Sequence, residues 1–230
     1  MQKRLILTAG ISSTGYLADS WRHVGGSPFV FAEFGHYLRT TRIAHAGTLD
    51  AVFFSDHPAL GAHPAQRPLH SFEPLTLSTA LAGAVPDIGF EITVSSTYSA
   101  PYDLAPRLAT LAHISGGRVI CNIVSSFKPA VAANYGSAPL PPREARYRQA
   151  HEFMSVVGAL LDSWELGAYR RRSTKSRDSR FWKSIGSDQA LAMQRLKSGT
   201  TGFLILSTPE TRWQSPCPRR NRSARPECLL

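Results

Sequence analysis

The sequence has few cysteines, no long apolar run and none of the glycine fingerprints that bind nucleotides. Its three cysteines, Cys121, Cys217 and Cys228, are odd in number and irregular in spacing, which argues against a disulfide framework and a zinc finger. No stretch approaches the ~20 apolar residues of a membrane span. Neither the GxGxxG pattern nor a P-loop is present. We therefore expect a reduced, cytoplasmic chain without a membrane anchor or a Rossmann dinucleotide site.

Acidic residues and histidines become scarce toward the end of the chain. Residues 1–165 carry twelve Lys and Arg against twelve Asp and Glu, whereas residues 166–230 carry fourteen against four. The formal net charge of +10 therefore lies entirely in the second segment, and all eight histidines precede residue 152. This asymmetry predicts a neutral folded part over 1–165 and a basic, mostly irregular tail over 166–230.

Apolar strand-like runs alternate with helical runs through the first part. The predicted strands cover 5–9, 50–56, 88–96 and 118–126, and the predicted helices cover 35–48, 73–85, 101–114 and 143–164. Four such β-then-α units indicate an α/β fold with a parallel sheet, either doubly wound or part of a (β/α) barrel. The first and fourth strands would then be open edges. In the tail, 189–197 favours one short helix and 202–207 one short strand.

Small polar residues follow the predicted strands at their carboxyl ends, where parallel α/β folds bind ligands. The residues are Ser55 and Asp56 after the second strand, Ser95, Ser96 and Thr97 after the third, and Ser125 and Ser126 after the fourth. Each of them also suits a strand end or a helix cap. Asn122 is different, because an amide inside an apolar strand must find partners. Together they predict a site for a polar, ring-bearing ligand.

Three histidines lie in one loop, at His57, His63 and His70. Their spacing matches no standard metal site, although a metal interpretation is chemically open. We expect solvated loop histidines and no metal. Ser126 has no Ser-His-Asp context, so hydrolase chemistry is not supported.

Several ordered motifs resemble one known family, the flavin-dependent monooxygenases of the bacterial luciferase-like superfamily. Within it, the nitrilotriacetate, dibenzothiophene-sulfone and long-chain-alkane monooxygenases are the most similar group. The motifs are WRHVGG (21–26), DAVFFSD (50–56), EPLTLSTALA (73–82), the run from SSTY to IVSS (95–126), AANYG (132–136) and ARYRQAHEFMSVVGALLDSWE (145–165). The resemblance covers about residues 1–165.

The resemblance implies a (β/α)8 TIM barrel, of which this chain has about the first four β/α units. It implies reduced FMN, supplied by a separate flavin reductase, and O2 that forms a C4a-peroxyflavin and inserts one oxygen atom into a small organic substrate. The residues that it places around FMN are Asp56, Thr97, Asn122, Ser125 and Ser126, with Arg143 and Tyr147 toward the phosphate. Asp56 has the alternative role of a helix cap. No catalytic residue is assigned, and the substrate is not identified.

Two departures from the family pattern affect these expectations. Arg143 stands where the family usually has a histidine, and an arginine reaches a phosphate with different geometry. Nothing in 166–230 resembles the second half of the barrel, and the change in composition there suggests a frameshift. We therefore expect impaired FMN binding and a tendency to form homo-oligomers. The alternative function is a non-catalytic remnant whose basic tail binds nucleic acid or acidic surfaces, for which a solvated tail is the simpler explanation.

Overall fold

Six strands and five α-helices make up the described part of the chain. A computed structural model describes residues 6–12, 15, 17, 20, 27, 29–56, 58–59, 71–136 and 139–163, together with the backbone of 192–198 and 201–207. The strands are β1 (Thr8–Gly10), β2 (Ala51–Phe54), β3 (Gly89–Ser95), β4 (Val119–Val124), β5 (Ala192–Ser198) and β6 (Thr201–Ser207). The helices are α1 (Phe34–Ala46), α2 (Pro74–Ala84), α3 (Pro101–Ser115), α4 (Pro129–Asn134) and α5 (Arg143–Leu161). A 3-10 turn, Val30–Ala32, precedes α1.

The strands form one sheet in the order β1-β2-β3-β4-β6-β5. The pairs β1–β2, β2–β3 and β3–β4 are all parallel, and a helix lies between each two of these strands in sequence. The predicted α/β fold with four β/α units is thus confirmed. The sequence prediction missed α4, a six-residue helix that begins at Pro129 and continues through small, helix-favouring residues.

The expectation of a short helix at 189–197 is wrong, because β5 occupies most of this segment. β5 pairs antiparallel with β6 along its whole length, from Ala192 opposite Ser207 to Ser198 opposite Thr201. Strand pairing here overrides a helix propensity that is only a weak preference. The strand predicted at 202–207 is confirmed as β6.

The expectation that the fourth strand is an open edge is also wrong. β6 pairs antiparallel with β4, from Val119 opposite Leu206 to Ile123 opposite Gly202. The hairpin therefore covers the backbone groups that β4 would otherwise expose, and the parallel order of the sheet ends at this strand.

Other expectations fall on residues outside the described part of the chain. These are the greater part of the basic tail and the three loop histidines, His57, His63 and His70. The division of the chain at residue 165 and the origin of the basic tail stay predictions. No helix in the described ranges has both the length and the apolar character that a membrane crossing needs.

The helix-facing side of the sheet is apolar. Val52, Phe90, Ile92, Cys121 and Ile123 belong to one buried cluster with side chains of α2, α3 and α5, among them Leu81, Leu108, Leu111 and Val157. Burial raises the pKa of the Cys121 thiol to about 12, so this cysteine behaves as a small apolar residue. The core thus fixes which face of each strand points toward the helices.

The opposite face, called the inner face, is partly polar. Side chains alternate along a strand, so Glu91, Thr93 and Ser95 of β3 share this face with Ile120 and Asn122 of β4. The registers agree, because Thr93 lies opposite Asn122 and Glu91 opposite Ile120. The inner face therefore carries Ser95 and Asn122, two of the polar residues predicted at a ligand site.

Arg118 forms hydrogen bonds with several segments near the amino-terminal ends of β3 and β4. Its guanidinium donates to the carbonyl oxygens of Val85, Ile88 and Ser115, the last at 2.6 Å from Nε, and it lies 5.6 Å from the centre of the Phe90 ring. Burial lowers its pKa, and the nearby Asp87 carboxylate opposes that shift. One side chain therefore satisfies carbonyl groups that follow α2, end α3 and precede β3.

Replacing Arg118 by Met should lower the free energy of unfolding by about 2–4 kcal/mol, because several buried carbonyl oxygens lose their donor. Urea unfolding followed by circular dichroism measures this change. Arg107→Met is the matched control. Arg107 pairs with Asp103 at 3.0 Å on the exposed side of α3, so its loss should cost less than about 1 kcal/mol. Equal effects of the two substitutions would contradict the role given to Arg118.

Candidate site at the carboxyl ends of the strands

A short network of hydrogen bonds joins the loops that follow β3 and β4. The hydroxyls of Ser95 and Ser126 lie 2.8 Å apart, and the backbone N–H of Thr97 donates to the Ser95 hydroxyl at 3.3 Å. The backbone N–H of Ser96 donates to the carbonyl oxygen of Val124 at 2.9 Å. These contacts place the polar residues of two neighbouring strands next to each other, as the parallel register requires.

Within the part of the chain that the structure describes, the Ser95–Ser126 pair keeps one hydroxyl hydrogen that is not used in a hydrogen bond. Between two hydroxyls, one donates and the other accepts, so the accepting group still has its own hydrogen to donate. The Thr97 N–H uses an acceptor position of Ser95, not a donor. The pair can therefore donate one hydrogen bond to a ligand at the rim of the sheet.

Two further oxygens at this end are buried and lack a hydrogen-bond partner within the described residues. Asn122 donates from Nδ2 to the Thr93 hydroxyl at 3.3 Å, while its Oδ1 has no donor. The Thr97 hydroxyl oxygen, Oγ1, is likewise buried and forms no hydrogen bond with the described residues. An unpartnered buried polar atom costs about 1–3 kcal/mol, so both positions favour a bound partner.

α5 contributes a guanidinium to the same network. NH1 of Arg146 donates to the carbonyl oxygen of Ser126 at 3.0 Å, and its Nε is buried without an acceptor among the described residues. On the same helix, the exposed Arg143 lies with its guanidinium 5.4 Å from the ring centre of the half-buried Tyr147. Arg146, rather than Arg143 or Tyr147, links α5 to the loop after β4.

An aromatic pair extends the site outward from the strand ends. The rings of Tyr98 and Tyr135 stack with centroids 4.5 Å apart at 11°, which joins the loop after β3 to the residue that follows α4. Nδ2 of Asn134 donates to the carbonyl oxygen of Pro58 at 2.9 Å, which holds α4 to the loop after β2. The hydroxyl of Tyr98 is buried and unpartnered in the described structure. α4 therefore bridges the carboxyl ends of three strands.

The predicted site residues fall into three groups in the structure. Thr97 and Ser126 belong to the hydrogen-bond network, and Asn122 lies on the inner face of β4. Arg143 and Tyr147 contact each other at the start of α5. The other two, Asp56 and Ser125, are half-buried where the chain leaves β2 and β4.

Arg146 and Tyr98 lie at the candidate site although the sequence pattern does not predict them. Arg146 stands directly before the predicted Tyr147, and Tyr98 directly after the predicted Thr97. A signal for Tyr98 was present, since a tyrosine that follows three hydroxyl residues at a strand end lies in the expected ligand region. Arg146 had no such signal, because its role depends on where α5 packs.

Glu91 places a carboxyl group on the inner face of β3, nearer the amino end than the site. Burial raises its pKa, and a hydrogen bond with the Thr8 side chain opposes the shift. Because the pKa of Glu91 is raised in the folded state, its contribution to stability is fully present below the ordinary glutamate pKa and is lost as pH rises through the folded-state pKa.

In the described part of the chain, no three His, Cys, Asp or Glu side chains are grouped closely enough to hold a metal ion.

Replacing Glu91 by Gln should stabilise the fold at neutral pH, since the amide keeps the shape but carries no charge to desolvate. The gain in the free energy of unfolding should disappear near about pH 4, where the native carboxyl is protonated. Urea unfolding at several pH values measures both. Glu152→Gln on the exposed side of α5 is the control and should change little. A gain that does not depend on pH would contradict the raised pKa.

A parallel sheet with hydrogen-bonding side chains at its carboxyl rim is the arrangement in which α/β barrels bind their ligands. The chain belongs to the luciferase-like monooxygenase family, whose model matches residues 13–185. The resemblance drawn from the motifs is thereby confirmed. The match ends at residue 185. The sequence pattern predicted an earlier boundary, at residue 165.

Individual relatives agree with this family. The chain is 33% identical to N-acetyl-S-(2-succino)cysteine monooxygenase of Bacillus subtilis (strain 168), over 74% of this chain and 38% of the relative. It is 35% identical to nitrilotriacetate monooxygenase component A of Aminobacter aminovorans, over 69% and 38%. Dibenzothiophene-sulfone and long-chain-alkane monooxygenases are further relatives, at 31% and 28% identity.

A solved structure shows the same fold. EDTA monooxygenase from Chelativorans sp. BNC1 superimposes with a TM-score of 0.68 at 34% identity, over 87% of this chain and 47% of that structure. The chain thus spans less than half the length of these three relatives, which are similar to it along their shared part. The expected barrel type, with about four of its β/α units present, is confirmed.

Proposed function

We propose that the chain is a flavin-dependent monooxygenase that uses reduced FMN and O2 to oxygenate a small organic substrate. A separate flavin reductase would supply the reduced FMN. The family membership supports the class of reaction, and the orphaned polar atoms at the rim support a bound cofactor. The names of the relatives refer to carboxylates, a sulfone and an alkane, so they define no common substrate.

The residues at the rim fit the chemistry of FMN. Its ring presents an N–H donor and carbonyl acceptors along one edge, and its ribityl chain ends in a phosphate. Among the described residues, Asn122 Oδ1 is a buried acceptor without a donor, and Thr97 Oγ1 is a buried hydroxyl without a partner. These two groups would bind the polar edge of the ring.

When bound, reduced FMN supplies the electrons that activate O2 for transfer of one oxygen atom. The role of the chain is to orient the ring and to exclude water from it. The buried Asn122 would lie beneath the ring on the inner face of β4, and the Tyr98–Tyr135 pair with α4 would cover the site on one side. Asp56, Ser125, Arg143 and Tyr147 are proposed as further cofactor contacts on the strength of the family resemblance alone.

We expect weak FMN binding, with a Kd on the order of 0.1 mM, which corresponds to a binding free energy of about −5.5 kcal/mol. The four parallel strands supply contacts from one side only, whereas a complete barrel encloses the cofactor. Titration of the purified chain with FMN, followed by flavin fluorescence, measures this affinity. Stoichiometric micromolar binding would contradict the expected impairment, and no binding at millimolar FMN would contradict the proposed function.

Thr97→Val and Asn122→Leu should each weaken FMN binding by about 5- to 30-fold, since each removes one hydrogen-bonding group worth about 1–2 kcal/mol. Thr110→Val is the matched control for the first. The Thr110 hydroxyl bonds the Pro106 carbonyl oxygen on the exposed side of α3 and should not affect FMN. Unchanged affinity in both site variants would contradict the assignment of the ring edge.

A further inference from the structure

Arg146 has more hydrogen-bond donors than the described structure satisfies. A guanidinium carries five N–H groups in a fixed planar fork. One bond is formed, from NH1 to the carbonyl oxygen of Ser126 at 3.0 Å. Nε is buried and has no acceptor within the described residues. The side chain as a whole is half-buried, but the Nε atom itself is shielded from water.

Two other arginines show how guanidinium groups are normally satisfied in this fold. Arg118 donates to three carbonyl oxygens, and Arg107 pairs with the carboxylates of Asp103 and Glu73. Arg146 has neither arrangement, since no carboxylate of the described residues forms an ion pair with it. Leaving a buried charged donor unpaired costs more than leaving a neutral one, so this position favours an external acceptor.

The surroundings of Arg146 define the kind of acceptor. The Ser126 carbonyl that it contacts belongs to the residue whose hydroxyl pairs with Ser95, and that pair has a hydrogen to donate. Arg143 adds a second positive charge one turn earlier on α5. A cation beside a free hydroxyl donor suits a ligand group that only accepts hydrogen bonds and carries negative charge, which is an oxyanion.

We propose that Arg146 binds an oxyanion at the rim, either the phosphate of FMN or a carboxylate of the substrate. The NH1 bond to Ser126 holds the guanidinium in place, and Nε with the neighbouring N–H groups faces the oxyanion. This inference rests on the proposed function for the identity of the ligand. It goes beyond that function because it assigns the anion contact to Arg146, a residue that the motif comparison left without a role.

The test compares FMN with riboflavin, which has the same ring and ribityl chain but no phosphate. In the native chain, the ratio of the two Kd values measures what the phosphate contributes to binding. If Arg146 binds the phosphate, Arg146→Met should weaken FMN binding by about 10- to 100-fold, as expected for a lost charge-assisted bond, and change riboflavin binding by less than about 2-fold. Arg146→Lys should give an intermediate loss for FMN. Fluorescence titration at constant ionic strength measures all four chains, with Arg148→Met, on the exposed side of α5, as the matched control.

A second arm identifies the source of the oxyanion. Thermal unfolding of the native chain and of Arg146→Met is followed with added inorganic phosphate, with succinate and with chloride. If the FMN-to-riboflavin ratio survives Arg146→Met but stabilisation by succinate is lost, the oxyanion is a carboxylate. The inference is overturned if Arg146→Met weakens FMN and riboflavin equally, as loss of structure would, or if no anion response depends on Arg146. If the native chain binds neither flavin, the proposed function fails, and the phosphate and succinate responses still decide the role of Arg146.

Discussion

The register between β3 and β4 is the constraint on which the rest of the described structure depends. It places Thr93 opposite Asn122 and Ser95 opposite Val124, which brings the loops after both strands within hydrogen-bond distance. The register is set by the apolar alternation of the two strands, because Ile92, Cys121 and Ile123 must face the helices. A slip of one residue would put Asn122 into the apolar core and Cys121 onto the inner face. Burial of the core therefore determines the geometry of the site.

The two ends of the sheet differ in how completely their polar groups are satisfied. At the amino end, Arg118 gives its donors to three carbonyl oxygens, and the polar groups around it are paired. At the carboxyl end, Thr97, Tyr98, Asn122 and Arg146 each keep a buried polar atom without a partner in the described structure. The first arrangement stabilises the fold. The second costs stability and is typical of a surface that a ligand completes.

The sequence predicted the parallel part of the fold well because strong local patterns coincide there with burial. Apolar strand runs and helical runs alternate over the first 165 residues, and each predicted element of that part has its counterpart in β1–β4, in the helices between them or in α5. It failed at 189–197, where pairing of β5 with β6 decides the conformation and no local sequence pattern indicates it. It also missed α4, whose six residues are too few for a periodic pattern.

Within the site, prediction worked for residues whose role follows from strand position. Thr97, Asn122 and Ser126 lie at strand ends or inside a strand, so sequence order alone places them near one another. Arg146 reaches the same region from a helix twenty residues beyond Ser126, and only the packing of α5 brings it there. Contacts of this kind depend on the tertiary structure and are not visible in a linear pattern.

The antiparallel hairpin on β4 has a consequence for assembly. A parallel sheet grows toward a closed barrel only through the free backbone groups of its last strand, and the residues from Val119 to Ile123 already give theirs to β6. A fifth parallel strand, from whatever source, would need the same groups. The hairpin and such a strand therefore cannot pair with β4 at the same time. Closure of a barrel by this chain would first require β6 to leave β4.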